Sequence, residues 1–189
     1  MRDQLILKLN TLLGGTPAIL PGAECWYSAE MLDLVEQDDS PFTRLNRSRY
    51  LLLELAPGPL PRRIEALLHE LSVQEIVPVI AHPERNPIFA KTPELLGMLV
   101  ERGAVTQVTA GSLVGDFGRW VRDAAEELFR RGLVHMVASD AHSVDQRPPR
   151  LQAARERVRR TWGTEAEMGL FDANPSAVVR SEPLAWLPA

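Results

Sequence analysis

Acidic and imidazole side chains stand where several apolar runs of this chain end. Glu24 closes Gly22-Ala23-Glu24, and Glu54 lies in Tyr50-Leu51-Leu52-Leu53-Glu54-Leu55. His82 opens His82-Pro83-Glu84-Arg85, and Asp140 and His142 share Ser139-Asp140-Ala141-His142. Carboxylate and imidazole are the donors of a divalent-metal site. The set suits manganese, zinc or iron, and the lack of thiolates disfavours a structural zinc. Taken singly, each residue has an ordinary reading. An acid near a strand end caps a loop or pairs with a base, and His82 before Pro83 could be a satisfied core histidine. Glu54 resists that reading, because an acid flanked by Leu51, Leu52, Leu53 and Leu55 is costly to bury unpaired. A metal would compensate it. So many coincidences at one rim favour a shared metal site over separate explanations.

Two arginines follow these motifs. Arg85 comes three residues after His82, and Arg147 lies in Asp145-Gln146-Arg147-Pro148-Pro149. Guanidinium forks suit a phosphate. Most other arginines, such as those at 155–160, read as surface charge. Other routes to phosphate chemistry are poorly supplied. A cysteine phosphatase needs an arginine six residues after its nucleophile, and Met31 stands there after Cys25. Cys25 reads as a small buried hydrophobe. There is no Gly-rich loop ending in Lys-Ser/Thr. Ser112 and Ser139 lack a base and its orienter, and His69 and His135 read as structural.

The elements that must carry these residues alternate. Leu5, Leu9, Leu12 and Leu13 mark one face of a helix over 3–13, stopped by Gly14-Gly15. Ala18-Ile19-Leu20 reads as a short buried strand. The stretch 28–48 reads as a short helix and then a loop around Asp38-Asp39-Ser40-Pro41. Strands are expected at 50–55, 76–80, 104–108 and 133–138, the second despite its internal Pro78. Between them, Ile64, Leu67, Leu68 and Leu71 mark a helix, as do Leu95, Leu96, Leu99 and Val100. Trp120, Val121, Ala124, Ala125, Leu128 and Phe129 mark another. Further helices are expected at 149–161 and 174–180, and 181–189 reads as a loosely held tail on which Trp186 docks. Apolar strands alternating with helices imply a parallel α/β sheet covered on both faces, either open or closed as a TIM-like barrel. In such folds chemistry collects at the carboxyl ends of the strands, where the candidate ligands stand.

The chain has 189 residues, 45% hydrophobic and 24% charged. That is ordinary globular composition and the length of one domain, burying about 70% of its unfolded surface. Its single cysteine excludes an internal disulfide. A net charge of -4 and a pI near 5.6 argue against a nucleic-acid binder that relies on bulk charge. No apolar run approaches the ~20 residues of a membrane span. Met1-Arg2-Asp3-Gln4 shows no signal-peptide pattern, so a cytoplasmic protein without direct membrane insertion is expected.

These motifs occur in an order that resembles a known family. Gly22-Ala23-Glu24, Tyr50-Leu51-Leu52-Leu53-Glu54, Ala81-His82-Pro83-Glu84-Arg85 and Ser139-Asp140-Ala141-His142 are joined by Gln107, Gly111-Ser112, Phe117-Gly118, Arg147-Pro148-Pro149 and Asn174-Pro175. The set resembles the bacterial manganese-dependent tyrosine phosphatases of capsule and exopolysaccharide synthesis, the CpsB/YwqE type of the PHP superfamily, from about Leu20 to Val179. The resemblance implies a distorted TIM-like (β/α)7 barrel in a single domain over 1–180, with a metal centre at its carboxyl rim. Glu24, Glu54, His82, Asp140 and His142 would be ligands for Mn2+. Arg85 and Arg147 would bind the substrate phosphate, and Asp140 or His142 would assist proton transfer. The substrate implied is phosphotyrosine on the tail of a polysaccharide tyrosine autokinase.

The family also opens with a His-x-His strand, paired aspartates and a later His-rich motif. No histidine precedes His69 here. The resemblance therefore implies an N-terminally truncated, incomplete domain, through a late gene start, a fragment or natural shortening. An exposed barrel edge would favour self-association. Rival readings are a catalytically impaired binding partner or remnant, a small-molecule phosphatase of the histidinol-phosphate type, and a nuclease, which the acidic charge disfavours.

Overall fold

The computed structural model describes residues 2–28, 30–31 and 43–188. Helix α1 spans Arg2–Leu12, and strand β1 spans Glu24–Trp26. Strand β2 (Tyr50–Glu54) and helix α2 (Ile64–Val73) follow, then β3 (Val77–Ala81). After a 3-10 turn at Pro83–Arg85 come the short helix α3 (Pro87–Lys91) and α4 (Pro93–Glu101). Strand β4 (Val105–Thr109) leads into α5 (Ala110–Val114) and α6 (Arg119–Arg130), then β5 (Met136–Ala138). Helix α7 (Gln152–Met168) is interrupted at Gly163 and continues through a π turn into α8 (Asn174–Arg180).

The described strands form one sheet in the order β1-β2-β3-β4-β5, and every neighbouring pair is parallel. A doubly wound sheet reverses strand order at a switch point; this one does not. Its faces are unequal. Leu51, Leu53, Ile80, Val108 and Val137 point into one large core with Leu67, Leu71, Leu96, Leu99 and Leu128 of the helices. The opposite face holds a smaller cluster of Tyr50, Val79, Met136 and Val178. Helices cover the two faces unequally: among the described residues, α2 to α7 bury their apolar residues in the first core, and α8 contributes to the second.

Several local expectations shift. Ala18-Ile19-Leu20 is not a strand, and Leu20 is 45% exposed. The segment is held instead by Asn10, whose Nδ2 donates to the Ile19 carbonyl at 2.8 Å and whose Oδ1 accepts the Ile19 N–H at 2.6 Å. The first strand therefore begins at Glu24. Helix α1 forms as expected, but its leucines do not meet the core: Leu5 and Leu12 are 56% and 73% exposed. Of the stretch 28–48, residues 29 and 32–42 lie outside the described residues, including the loop expected at Asp38–Pro41; Leu45–Arg47 form a 3-10 turn. Pro78 is tolerated inside β3 because the ladder to β4 begins only at Val79. Strand β5 is shorter than expected, because Thr106 Oγ1 takes the Leu133 carbonyl at 2.5 Å in place of a ladder bond.

The C-terminal segment is tied down at its tryptophan. Buried Asn174 accepts the Trp186 N–H at 2.9 Å and donates to the carbonyls of Trp186 and His135, both at 2.8 Å. The Trp186 indole lies over Gly169, where any β-carbon would collide with it. Nor are all the arginines of α7 free surface charge, since Arg155 donates to Glu167 at 2.6 Å and to Asp172 at 2.9 Å. Among the described residues, no helix is long and apolar enough to cross a membrane.

His135 is structural, as expected. It is 4% exposed, and its Nδ1 accepts the Thr106 N–H at 3.2 Å. Burial pulls its pKa down from 6.5 to about 4. The unfolded chain therefore binds a proton that the native chain refuses, and stability falls as pH drops from 6.5 toward 4. The full loss is about 3 kcal/mol. In urea unfolding, the stability advantage of the wild type over His135→Gln should shrink between about pH 7 and about pH 5. An advantage independent of pH would contradict this account.

Candidate active site

Alternation along the strands delivers the site. Leu51 and Leu53 enter the helix-covered core, so Glu54 emerges on the opposite face and keeps 29% of its side chain exposed. The burial argument for Glu54 is corrected accordingly: Leu51, Leu53 and Leu55 lie behind it and do not surround it. Register then aligns the neighbours. Glu24 pairs with Leu52 and Trp26 with Glu54 across β1 and β2, and Leu52 pairs with Val79 of β3. His82 follows β3, with its N–H on the Gln107 carbonyl at 2.8 Å. It adopts a left-handed conformation at φ 32°, which turns the chain into the 3-10 turn.

Three donors converge here. His82 Nε2 lies 2.9 Å from Glu24 Oε1 and 3.5 Å from Glu54 Oε1. One ligand atom from each of these residues lies within 4.8 Å of the others, spacing that fits a single cation. Two carboxylates with one imidazole form a hard, anionic donor set, chemically suited to a divalent metal. A cavity of about 100 Å³ beside it is lined by Glu54 and His82 of the triad and by Arg85 and Asn86.

Asp140 and His142 do not join that triad. Arg85 Nη1 donates to Asp140 Oδ2 at 2.8 Å, and Arg147 Nη2 donates to the same oxygen. The carboxylate, its side chain 8% exposed, meets both guanidinium groups and stands apart from Glu24, Glu54 and His82 in this arrangement. His142 Nδ1 lies 2.9 Å from the Asp140 carbonyl, and its side chain is 57% exposed. A carbonyl only accepts, so Nδ1 carries the proton and Nε2 offers its lone pair. Arg147 is returned to Asp140 by a tight loop. Ser143 Oγ accepts the Arg147 N–H at 2.9 Å, and the His142 N–H reaches the Arg147 carbonyl at 2.9 Å. An anionic triad thus stands beside a pair of arginines that, among the described residues, share one carboxylate.

The remaining polar candidates are quiet. Cys25 is half-buried, and burial pushes its thiol pKa up, against nucleophilic use. Ser112 donates to Glu84 Oε1 at 2.6 Å and serves structure, and His69 is exposed on α2.

Sequence reasoning gave no role to Glu84 or Phe117, although both stood inside quoted motifs. Glu84 is 0% exposed between His82 and Arg85. Its Oε1 accepts the Thr109 N–H at 3.0 Å as well as the Ser112 hydroxyl, pinning the turn to β4 and α5. Burial pushes its carboxyl pKa up, and the two hydrogen bonds oppose that. The only signal in the sequence was an acid placed directly beside two candidate site residues.

With this geometry in place, comparison with known proteins is informative. Residues 11–180 match the family described as capsular polysaccharide synthesis, CpsB/CapC. The tyrosine-protein phosphatase YwqE of Bacillus subtilis is 37% identical over 168 residues, which cover 88% of this chain and 64% of that protein. The tyrosine-protein phosphatase CpsB of Streptococcus pneumoniae is 31% identical over 166 residues, covering 85% of this chain and 68% of its own length. A crystal structure from work on YwqE and CpsB, described as metal-dependent tyrosine phosphatases, superposes with a TM-score of 0.89 at 33% identity. It covers 98% of this chain and 75% of the solved one. The chain therefore spans somewhat less than two thirds of the length of YwqE.

Glu84→Ala would strand two buried donors, each costing about 1–3 kcal/mol. Glu84→Gln keeps an acceptor in place and should lose less. Urea unfolding of the two variants checks this, and a Glu84→Ala chain as stable as the wild type would refute the anchoring role.

Proposed function

This chain belongs to the CpsB/CapC family of capsular polysaccharide synthesis, and from that membership we propose that it is a metal-dependent protein-tyrosine phosphatase. Its substrates would be phosphotyrosines of a tyrosine autokinase of capsule or exopolysaccharide synthesis, and its place the cytoplasm. The observation that carries this reading is the anionic Glu24–Glu54–His82 triad beside Arg85 and Arg147. The same reading makes the singly wound parallel sheet part of a PHP-type (β/α)7 barrel, with the site at its carboxyl rim.

Glu24, Glu54 and His82 would hold the metal; carboxylate and imidazole donors suit manganese, zinc or iron, and Mn2+ is the ion the family resemblance implies. A divalent ion bound there supplies a water acidic enough to be deprotonated near neutral pH and offsets charge on the phosphoryl oxygens. Arg85 and Arg147 bind and orient the phosphoryl group, with N–H donors already directed to one point by Asp140. Their positive charge then opposes the charge that builds on the equatorial oxygens. Asp140 holds the two guanidinium groups together. Exposed His142, with Nδ1–H held by the Asp140 carbonyl, would take up a proton from solvent at Nε2 and in that imidazolium form give it to the departing phenolate oxygen.

Hydrolysis of a phosphotyrosine peptide should require added Mn2+ and stop with chelator. Arg85→Ala and Arg147→Ala should each lower kcat by about 10²–10³. Glu54→Gln and His82→Ala should weaken metal affinity at least ~10-fold. Turnover that survives chelation, or arginine variants that match the wild type, would contradict the proposal. Faster hydrolysis of histidinol phosphate than of the peptide would move the substrate assignment to small molecules.

A further inference from the structure

We propose that Phe117 is a positioning residue, its ring the platform on which the Arg85 and Arg147 guanidinium groups are held together to grip one phosphoryl group. The inference deepens the phosphatase reading and rests on it.

Two like charges meet at this point. Arg85 and Arg147 share one oxygen of one carboxylate, so two like charges are held side by side. An aromatic face is where such a pair can rest. The Arg85 guanidinium carbon lies 5.0 Å from the Phe117 ring centroid, and that of Arg147 lies 5.5 Å from it. Both are inside the ~6 Å range over which the negative face of a ring attracts a cation. The attraction uses the flat guanidinium face and leaves the N–H edge for a phosphate. Asp140 alone would draw those N–H groups to itself. Ring and carboxylate together hold the pair from two directions.

The ring does not owe its place to the arginines. It sits on a turn that folds back over α5. The N–H groups of Gly115 and Asp116 both reach the Gly111 carbonyl, at 3.0 and 2.9 Å, and the Gly118 N–H closes on the Gly115 carbonyl at 2.9 Å. A β-carbon at Gly111 would stand 3.0 Å from Phe117 Cε2 and 3.1 Å from Asp116 Oδ2, so a larger residue there would press on the ring and the glycine lets the turn lie close. Glu84 bonds Thr109 and Ser112 at the start of the same helix, which ties the platform to the turn that carries Arg85. Phe117 itself is half-buried.

The test must separate electrostatics from packing. Progressive fluorination of the Phe117 ring drains its negative face while nearly preserving its shape. In the metal-loaded protein, the inhibition constant of inorganic phosphate and the KM for a phosphotyrosine peptide should rise step by step, by roughly 5- to 30-fold across the series. Bound metal should stay constant. Phe117→Leu should fall at the weak end of the series, and Phe117→Trp should restore binding. If the Leu variant fails to fold, the fluorinated series still decides. A flat series in an active wild type overturns the platform and leaves the phosphatase reading standing. A wild type that neither hydrolyses the peptide nor binds phosphate overturns that reading, and the platform with it.

Discussion

A β-strand sends successive side chains to opposite faces, and in Tyr50–Glu54 that alternation separates the core from the chemistry. Leu51 and Leu53 are essentially inaccessible and lock β2 against the helices, so Glu54 has no choice of face. The ladder to β1 brings Glu24 alongside, and the ladder to β3 brings His82 round the strand end. The metal-type triad is therefore a consequence of core packing and of strand register. A slip of one residue in β2 would exchange Glu54 for a leucine at the site and bury the acid among Leu67 and Leu71.

The second half of the site is organised by charge. Asp140 leaves β5 in a left-handed conformation at φ 51° and receives Arg85 from the turn after β3 and Arg147 from its own loop. Three segments of chain thus close on one oxygen. The result is a bipolar arrangement, with negative donors suited to a cation on one side and guanidinium donors suited to an anion on the other. A phosphate ester bound to a divalent ion presents that same pair of charges. Glu84 links the halves covalently through the His82–Arg85 turn and mechanically through β4 and α5.

Much of this was legible in the residues. Leu51–Leu55, Val79–Ile80 and the amphipathic runs at Ile64–Leu71 and Leu95–Val100 announce their elements because burial and periodicity agree. The His-Pro-Glu-Arg and Ser-Asp-Ala-His blocks pointed to the family to which the chain belongs. What was misread depends on contacts that a linear pattern does not carry. Ala18–Leu20 has the composition of a strand, yet Asn10 holds the chain there and pairing starts at Glu24. Arg85 and Arg147 meet at Asp140, an expected ligand, from separate stretches of the sequence that no linear pattern joins. The leucines of α1 have helical spacing, but spacing does not say what they face, and here it is not the core. Phe117 could be placed under the arginines only once the turn at Gly115–Gly118 was known.

The central claim is that Glu24, Glu54 and His82 form one metal site beside an arginine clamp for phosphate. Anomalous diffraction from crystals grown with Mn2+ and inorganic phosphate tests it most directly. The account predicts an anomalous peak within coordination distance of all three side chains, with phosphate on the N–H edges of Arg85 and Arg147. A peak bound elsewhere, or a triad still closed on itself at saturating Mn2+, would contradict it.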